Sequence, residues 1–269
     1  MTAGSPVRLS ARVGAVSDTG LQRPHNEDRF LVQGIGLPPA DGAPAGSVDL
    51  SSSPLLLAVC DGMGGAAAGE VASAVAVDTL SERGSALAPE GTDPEALAAW
   101  LIEGVREANR RTLQRMRDEP GLEGMGSTLT AALLTGTDLV LAHVGDSRCF
   151  HLRDGRFRRL SLDHSFVGRL VAMGRLTEEE ARRHEQRNLL LEAIGTDPEP
   201  DIDRFAAPLR AGDRVLLCSD GLSNLVPEAE LREILAGADA PGEQCATLVA
   251  LANDRGGDDN ITVVVAHVS

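Results

Sequence analysis

Two short apolar runs in this sequence each lead into an Asp-Gly pair. Residues 55–60 lead into Asp61 and a glycine-rich turn, and residues 215–218 lead through a serine into Asp220 and a glycine. An unbroken apolar run of this length predicts a β-strand buried on both faces, and the Asp-Gly pair predicts a turn after it. A carboxylate at the tip of such a strand is held rigidly, and glycine lets other groups approach the backbone. The repetition predicts a metal site assembled from distant segments.

The composition excludes several classes of protein. The formal net charge of −15 argues against binding of nucleic acid or of an anionic membrane through a general basic surface. All 25 Lys and Arg residues are arginine, so the chain lacks the lysine of a P-loop, of a kinase strand and of a Schiff base. No apolar run approaches the roughly 20 residues that cross a bilayer, and the N-terminus lacks the pattern of a signal peptide. We therefore expect a cytoplasmic protein.

The four cysteines, Cys60, Cys149, Cys218 and Cys245, have no CxxC spacing, and three of them lie in apolar, strand-like runs. This pattern predicts buried free thiols rather than disulfides or a zinc site. Cys60 and Cys218 lie next to the two Asp-Gly pairs, so a redox role for these thiols stays open.

The order of predicted elements indicates one α+β domain over residues 9–269, after a flexible tail at residues 1–8. Short strands follow one another in runs, and helices inserted between them, such as one over residues 93–119, would cover the sheets. Residues 34–54 are rich in Pro, Gly, Ala and Ser, which predicts a mobile loop. Residues 165–190 are polar and charge-rich, which predicts short helices there.

Acidic residues lie next to the ends of five predicted strands. Three single aspartates follow a strand, and two acidic pairs precede one. They are Asp61, Asp146 and Asp220, and the pairs Glu27-Asp28 and Asp258-Asp259. Because the end of one antiparallel strand lies beside the start of its neighbour, all five sets can lie along one edge of the sheets.

A cluster of these carboxylates would need a cation, because like charges raise one another's pKa values. The chain has no His or Cys set at metal-ligand spacing, so Mg²⁺ or Mn²⁺ is the expected ion rather than zinc. Two such ions, roughly 3.5–4 Å apart, would lower the pKa of a bridging water from about 15.7 toward roughly 7. Arg23, four residues before Glu27, has the chemistry to bind phosphate or carboxylate oxygens bidentately.

Seven short motifs occur in order along the chain. They are RPHNED at 23–28, DGMGG at 61–65, GST at 126–128, GDSR at 145–148, LDHS at 162–165, SDG at 219–221 and DNIT at 259–262. In this order they resemble the motifs of the metal-dependent serine/threonine protein phosphatases of the PP2C family, in their compact bacterial form. The resemblance extends from about residue 12 to residue 268.

The resemblance implies a fold, an activity and partners. The fold would be a central β-sandwich of two antiparallel sheets flanked by helix pairs, four layers in all, with a metal centre at one end. A hydroxide bridging two Mg²⁺ or Mn²⁺ ions would hydrolyse phosphoserine and phosphothreonine in proteins without a phosphoenzyme. The substrates would be phosphorylated proteins, a Ser/Thr kinase or its targets, in bacterial signalling. We expect a monomer that binds neither nucleic acid nor membrane.

The resemblance also implies roles for single residues. Asp61 would bridge the two ions, and the Gly62 carbonyl would bind one of them. Asp220 and Asp259 would complete the shell of one ion. Arg23 would bind the substrate phosphate, which makes Arg23, Asp61 and Asp220 the expected catalytic residues.

Three more carboxylates belong to the implied set. Glu27 and Asp28 would hold the second ion, directly or through water. Asp146, together with Asp220, matches the position that binds a third, weaker metal ion in bacterial members. Residues 165–190 correspond to the flap beside the active site.

Two positions depart from the pattern of the family. Met63 stands where some relatives carry a histidine that is a candidate acid for the leaving oxygen, so metal-bound water or another group must supply that proton. His25 and His164 are candidates by sequence proximity. Glu192 stands where an arginine is expected in close relatives, which puts flap docking or substrate preference in question.

Two other functions compete with this interpretation. A phosphoprotein-binding or partner-switching regulator would keep the fold and turn over poorly. Replacement of an expected metal ligand by Asn, Ser or Ala would support that regulator, and no such replacement occurs. A metal-dependent phosphoesterase that acts on small molecules would need the same residues.

Overall fold

The structure is a computed structural model, and it describes residues 8–34, 47–64, 68–86 and 93–269. Most of the predicted tail at residues 1–8 lies outside the described residues. The predicted loop at residues 34–54 is described only in its last part, which contains a short strand. The predicted mobility of the tail and of the loop stays a prediction.

The described strands form two antiparallel sheets. The first sheet, in spatial order, contains β3 (Ser47–Asp49), β1 (Ser10–Asp18), β12 (Ile261–Val268), β11 (Arg214–Cys218), β8 (Arg148–Arg153) and β9 (Arg156–Arg159). The second contains β10 (Asp203–Pro208), β7 (Asp138–Val144), β6 (Leu129–Leu134), β4 (Leu55–Met63) and β2 (Asp28–Gly34), with β5 (Gly126–Ser127) paired to the end of β4.

Helices cover the outer faces of both sheets. The helices are α1 (Ala68–Ala86), α2 (Pro94–Asp118), α3 (Phe166–Ala172), α4 (Glu178–Arg182), α5 (Asp220–Ser223), α6 (Glu228–Ala236) and α7 (Pro241–Asp254). Helices α1 and α2 pack on the second sheet, and α6 and α7 pack on the first. The predicted α+β fold, a β-sandwich between helix pairs, is confirmed.

Strand β4 is buried on both faces, as its apolar run predicts. Alternate residues from Leu55 to Val59 pack in the core between the two sheets, and alternate residues from Leu56 to Cys60 pack against α1 and α2. Side chains along a strand point to opposite faces in turn, so a strand in the middle of four layers has no polar face. Strand β11 alternates in the same way between the central core and the α6–α7 layer.

Local signals set the ends of the long helix α2. The Asp93 side chain caps its start by accepting the backbone N–H groups of Glu95 and Ala96 at 2.8 and 3.1 Å, and Pro94 occupies the first turn, where no N–H is needed. The helix ends at Asp118, close to the predicted residue 119. In the part of the chain that the structure describes, no helix has the length and apolar character to cross a membrane.

We expect the substitution Leu57→Ala to lower the free energy of unfolding by about 2–5 kcal/mol, because Leu57 is fully buried between the sheets. Urea denaturation followed by circular dichroism measures the change. Leu21→Ala is the matched control, since the Leu21 side chain is 65% exposed and should alter stability by less than about 0.5 kcal/mol. Equal losses in both variants would contradict the assignment of β4 to the central core.

Candidate metal centre

Strands β2 and β4 bring the first two aspartates together. Asp28, the first residue of β2, lies opposite Asp61 of β4 in the antiparallel register. Strand β4 continues past Asp61 because Gly62 pairs with Ser127 of β5, while the Gly62 N–H donates to the Glu27 carbonyl at 3.2 Å. The prediction that Asp61 follows the strand is therefore wrong in detail, since Asp61 lies inside it, near its end.

The other sheet supplies two further aspartates at the same edge. Asp220 follows β11 and begins α5, and Asp259 precedes β12, the antiparallel neighbour of β11. Ser219 joins the two sheets, because its hydroxyl donates to Oδ2 of Asp28 at 2.7 Å and accepts the N–H of Thr262 at 2.9 Å. The strand ends thus converge on one edge, as the antiparallel arrangement predicts.

Four other carboxylates lie near enough to Asp61 for their charges to affect its pKa. Burial raises the pKa of Asp61 well above its usual value, and the charges of Asp28, Asp220, Asp146 and Asp259 raise it further. Asp61, Asp146 and Asp220 each keep some contact with solvent, so an opening leads from the surface to the cluster.

Two buried carboxylate oxygens of the cluster have no hydrogen-bond partner among the described residues. Oδ1 of Asp28 and Oδ1 of Asp220 are buried and accept no hydrogen bond from any residue of the described ranges. Burial raises the pKa of Asp28 to about 7, the hydrogen bond from Ser219 opposes this, and the charges of Asp220 and Asp259 add to it. Buried oxygens of this kind are costly unless a hydrogen bond or a cation satisfies them. An all-oxygen donor set fits Mg²⁺ or Mn²⁺.

Both Asp-Gly pairs need glycine for the same reason, which is the close approach of another backbone segment. A Cβ on Gly62 would lie 2.1 Å from the carbonyl oxygen of Gly69 in the first turn of α1. A Cβ on Gly221 would lie 2.1 Å from the carbonyl oxygen of Asn260. A Cβ on Gly69 would in turn meet the carboxyl carbon of Glu27 at 2.9 Å. The glycines therefore let α1 and Glu27 pack directly against the strand tip.

Hydroxyl groups connect Asp61 to the turn that carries Asp146. Oγ1 of Thr128 accepts the N–H of Asp61 at 2.9 Å and lies 2.7 Å from Oγ of Ser147. Burial raises the pKa of Asp146 well above its usual value, and Asp220 raises it further. Asp146 and Asp220 line one cavity, so the structure brings together the two residues expected at a third metal site.

Asn260 organises the loop that carries Glu27, a role that sequence reasoning missed. Oδ1 of Asn260 accepts the N–H of Glu27 at 2.8 Å, and Nδ2 donates to the carbonyl oxygens of Thr19 and His25 at 2.9 Å each. Burial is the first cause that raises the pKa of Glu27. The partners of Asn260 lie more than 230 residues away in the sequence, so no local signal indicates this role.

Arg23 lies at the cluster, as predicted, and contacts one of its carboxylates. Nη2 of Arg23 lies 2.6 Å from Oδ2 of Asp259, and this hydrogen bond is the main cause that raises the pKa of Arg23. The charges of Glu27 and Asp61 act on Arg23 in the same direction. The guanidinium is half-exposed and lines the outer opening of the site together with Asp220 and Asp259.

Among the described residues, no three His, Cys, Asp or Glu side chains already form a set that could hold a metal ion. The carboxylates pair with neighbours instead. Oδ2 of Asp28 accepts from Ser219, Oδ2 of Asp220 accepts from Asn224, and Asp259 pairs with Arg23. Mg²⁺ retains several waters and binds through few carboxylates, so the expected ligand set includes water and the Gly62 carbonyl. That these residues hold metal stays a prediction.

The two candidate acids lie in different places. His25 is exposed and near enough to Glu27 to affect its pKa, so it lies beside the cluster. Nε2 of His164 lies 3.2 Å from Oδ2 of Asp203, and His164 lines a cavity of about 290 Å³ that contains none of the expected metal ligands. Glu192 lines that same cavity, and in the described part of the chain it makes no ion pair with an arginine of the flap.

All four cysteines are buried free thiols, as predicted. Burial raises the pKa of Cys60, and the charges of Asp28 and Asp61 raise it further. Burial likewise raises the pKa of Cys218 to about 12. Since the thiolate is the reactive form, these shifts disfavour the redox role that the sequence left open.

The described strands thus bring carboxylate oxygens together at one edge of a helix-flanked β-sandwich. Residues 36–248 match the model of the family described as Protein phosphatase 2C, and the chain belongs to that family. It is 37% identical over 251 residues to the serine/threonine phosphatase stp of Listeria innocua, with 93% of each chain covered.

Two further comparisons concern the serine/threonine protein phosphatase PstP. The PstP of Mycobacterium tuberculosis is 42% identical over 264 residues, which cover 97% of this chain and 46% of that protein. The crystal structure of the PstP catalytic domain in complex with two manganese ions has a TM-score of 0.79 and 41% identity, and covers 97% of this chain and 99% of that chain.

We expect the metal-free protein to lose stability as the pH rises from about 4 to 7. The pKa of Asp28 is about 7 in the folded state against 3.8 in the unfolded state, so the folded state binds more protons in that window and stability falls as they are lost. Asp28→Asn should weaken this fall, and Mn²⁺ should restore stability above pH 7 in the wild-type protein.

Urea denaturation in EDTA at pH 5 and pH 8 measures the effect. Asp154→Asn is the matched control, because Asp154 is exposed and lies in a tight turn at φ 49° that asparagine also adopts. In the control, the free energy of unfolding should depend on pH as it does in the wild-type protein. If Asp28→Asn also kept the wild-type dependence, the raised pKa of Asp28 would not be its cause.

Proposed function

We propose that this chain is a Mg²⁺- or Mn²⁺-dependent phosphatase that hydrolyses phosphoserine and phosphothreonine in proteins. The observation that carries the proposal is the convergence of carboxylates from both sheets around Asp61, beside Arg23, in a member of the PP2C family. The names of the relatives support the substrate class, and the manganese complex of PstP supports the metal.

The proposed ligands divide among two main ions and a weaker third one. Asp61 would be shared by the two main ions, and the Gly62 carbonyl would bind one of them. Asp220 with Asp259 would complete the shell of one ion, Glu27 with Asp28 would hold the second, directly or through water, and Asp146 with Asp220 would hold the third. The ions, when bound, would supply a water of lowered pKa and neutralise charge on the phosphate.

Arg23 would bind and orient the phosphate of the substrate. Its Nη2 contacts Asp259 at 2.6 Å, which holds the guanidinium at the mouth of the site while its other N–H donors stay available. Two parallel contacts from one guanidinium would fix the direction of the phosphorus with respect to the carboxylate cluster. The serine or threonine hydroxyl would then be the leaving group.

The cellular context is part of the same proposal. The substrate would be a Ser/Thr kinase or one of its targets in a bacterial signalling pathway, and the enzyme would act as a cytoplasmic monomer. The net charge of −15 supports the expectation that neither nucleic acid nor an anionic membrane is a partner. The predicted boundaries of the single domain, 9–269, belong to this proposal as well.

The competing regulator would bind phosphoproteins and hydrolyse them poorly. An incomplete set of carboxylates would favour it, but every expected ligand position is filled and the acidic side chains gather at one edge. A small-molecule phosphoesterase would prefer nucleotides or sugar phosphates to phosphopeptides. Both alternatives are outcomes of the assay that follows.

We expect metal-dependent release of phosphate from a phosphothreonine peptide, abolished by EDTA and lowered at least roughly 100-fold by Asp220→Asn, because the amide cannot supply the charge of a ligand. A phosphate-release assay with Mn²⁺ measures it, and Asp154→Asn is the control. Near-normal turnover by Asp220→Asn would contradict the mechanism. No turnover with intact Mn²⁺ binding would favour the regulator, and preference for nucleotides would favour the small-molecule enzyme.

Arg23→Ala should lower kcat/KM by roughly 10- to 100-fold, since it removes charge-assisted hydrogen bonds to the phosphate. Mn²⁺ affinity, measured by isothermal titration calorimetry, should persist because Arg23 supplies no metal ligand. Arg117→Ala, on the exposed face of α2, is the matched control. If Arg23→Ala lost Mn²⁺ binding but kept its affinity for the substrate, the role of Arg23 would be to hold Asp259 in position and not to bind phosphate.

A further inference from the structure

The short helix α4 lies across the mouth of the site with two different faces. Thr177 caps its start, and Glu180 completes a capping box with the backbone of Thr177. On the outer face, Nη2 of Arg183 pairs with Glu179 at 2.9 Å, and their side chains are 79% and 66% exposed. Ala181 is buried against the body of the protein, so the opposite face of α4 is the inner one.

Glu178 fixes the inner face of α4 to the sandwich. Its carboxylate lies 2.8 Å from Nη2 of Arg159 and 3.6 Å from Nη2 of Arg148. Arg148 is itself nearly buried and pairs with the buried Asp163 at 2.6 Å. Residues four apart lie on the same side of a helix, so the anchor at Glu178 turns Arg182 toward the site.

Arg182 lines two cavities that both include Asp220. One of them also contains Asp146 and Glu178, and the other, of about 120 Å³, also contains Arg23 and Asp259. Arg182 therefore lies on the flap side of the opening, across from the carboxylate cluster. Arg182 is half-buried, whereas Arg183 is exposed.

The guanidinium of Arg182 has no carboxylate partner within the described ranges, in contrast to Arg23 and Arg183. Its carbonyl accepts a hydrogen bond from Nη1 of Arg187 at 3.3 Å, which brings a second arginine beside it. Arg187 lines the same two cavities. Among the described residues, two arginines without a carboxylate partner therefore lie beside the proposed metal centre.

This local charge contrasts with the charge of the whole chain. A formal net charge of −15 repels acidic peptides from most of the surface. An arginine fork matches the oxygens of a carboxylate or a phosphate. An unpaired arginine near the proposed metal centre would therefore attract a second anionic group of a substrate, whereas most of the protein surface would repel it.

We propose that Arg182 forms an anion subsite beside the metal centre and binds a second negatively charged group of the phosphoprotein substrate, a carboxylate or another phosphate, close in sequence to the reacting residue. This inference rests on the proposed phosphatase function. In this proposal, Arg182 contacts the second anionic group and so determines specificity. Glu178 is a positioning residue, because its contacts with Arg159 and Arg148 hold α4, and with it Arg182, in place. The subsite makes the enzyme select acidic or multiply phosphorylated segments.

The test compares three phosphothreonine peptides of one backbone sequence. The first has neutral flanks, the second has glutamates within three residues of the phosphothreonine, and the third has a second phosphoserine there. The wild-type protein should prefer the second or third peptide over the first by about three- to tenfold in kcat/KM. Which of the two is preferred identifies the anionic group as carboxylate or phosphate.

Arg182→Ala should remove this preference. Arg183→Ala is the matched control because it deletes the same charge from the exposed residue that directly follows α4. Arg182→Lys should keep part of the preference, since it retains the charge without the fork. The preference of the wild-type protein should also weaken at high salt, as expected for a partly exposed contact.

Equal preferences in the wild type and Arg182→Ala, or equal losses in Arg182→Ala and Arg183→Ala, would overturn the subsite while leaving the phosphatase intact. No metal-dependent hydrolysis of any of the three peptides by the wild-type protein would overturn the proposed function, and the subsite with it. Loss of the preference in Arg182→Ala alone supports the subsite.

Discussion

Repulsion among buried carboxylates from two different sheets is the interaction on which the rest of this structure depends. Asp28 and Asp61 come from one sheet and Asp220 from the other. The charge of Asp220 raises the pKa of Asp28, and the charges of Asp28 and Asp220 raise the pKa of Asp61. The protein supplies only part of the compensation, through the hydroxyl of Ser219 and the guanidinium of Arg23. In the described part of the chain, Oδ1 of Asp28 and Oδ1 of Asp220 keep no hydrogen-bond partner. Under the proposed function, a bound cation would satisfy them and stabilise this edge of the sandwich.

A second buried carboxylate in the same protein shows the opposite solution. Asp163 is as deeply buried as the residues of the cluster, but Arg148 and Arg159 lie beside it and lower its pKa against the effect of burial. The charge of Asp163 is thus satisfied within the protein by the same two arginines that contact Glu178 of α4. Asp61 and Asp163 therefore differ in their neighbours. Arginines lower the pKa of Asp163, whereas other carboxylates raise the pKa of Asp61.

The sequence predicted those features that depend on local pattern. The apolar run of β4, the cap at Asp93 and the free cysteines follow from composition and spacing, and the structure agrees. The motif order also predicted the carboxylate set. Long-range contacts were not predictable, because no local signal encodes that Ser219 would reach Asp28 or that Asn260 would hold the loop of Glu27.

The placement of β12 in the first sheet has a consequence for the way this protein folds during synthesis. β12 lies between β1 and β11, pairing with one of the earliest strands and with one of the latest. The first sheet therefore cannot close until residues 261–268 have left the ribosome, and contacts so distant in sequence form slowly. Until then the edge formed by β2 and β4 lacks its partner from β11 and β12. Asp220 and Asp259 therefore join Asp28 and Asp61 only after nearly all of the described chain has been synthesised.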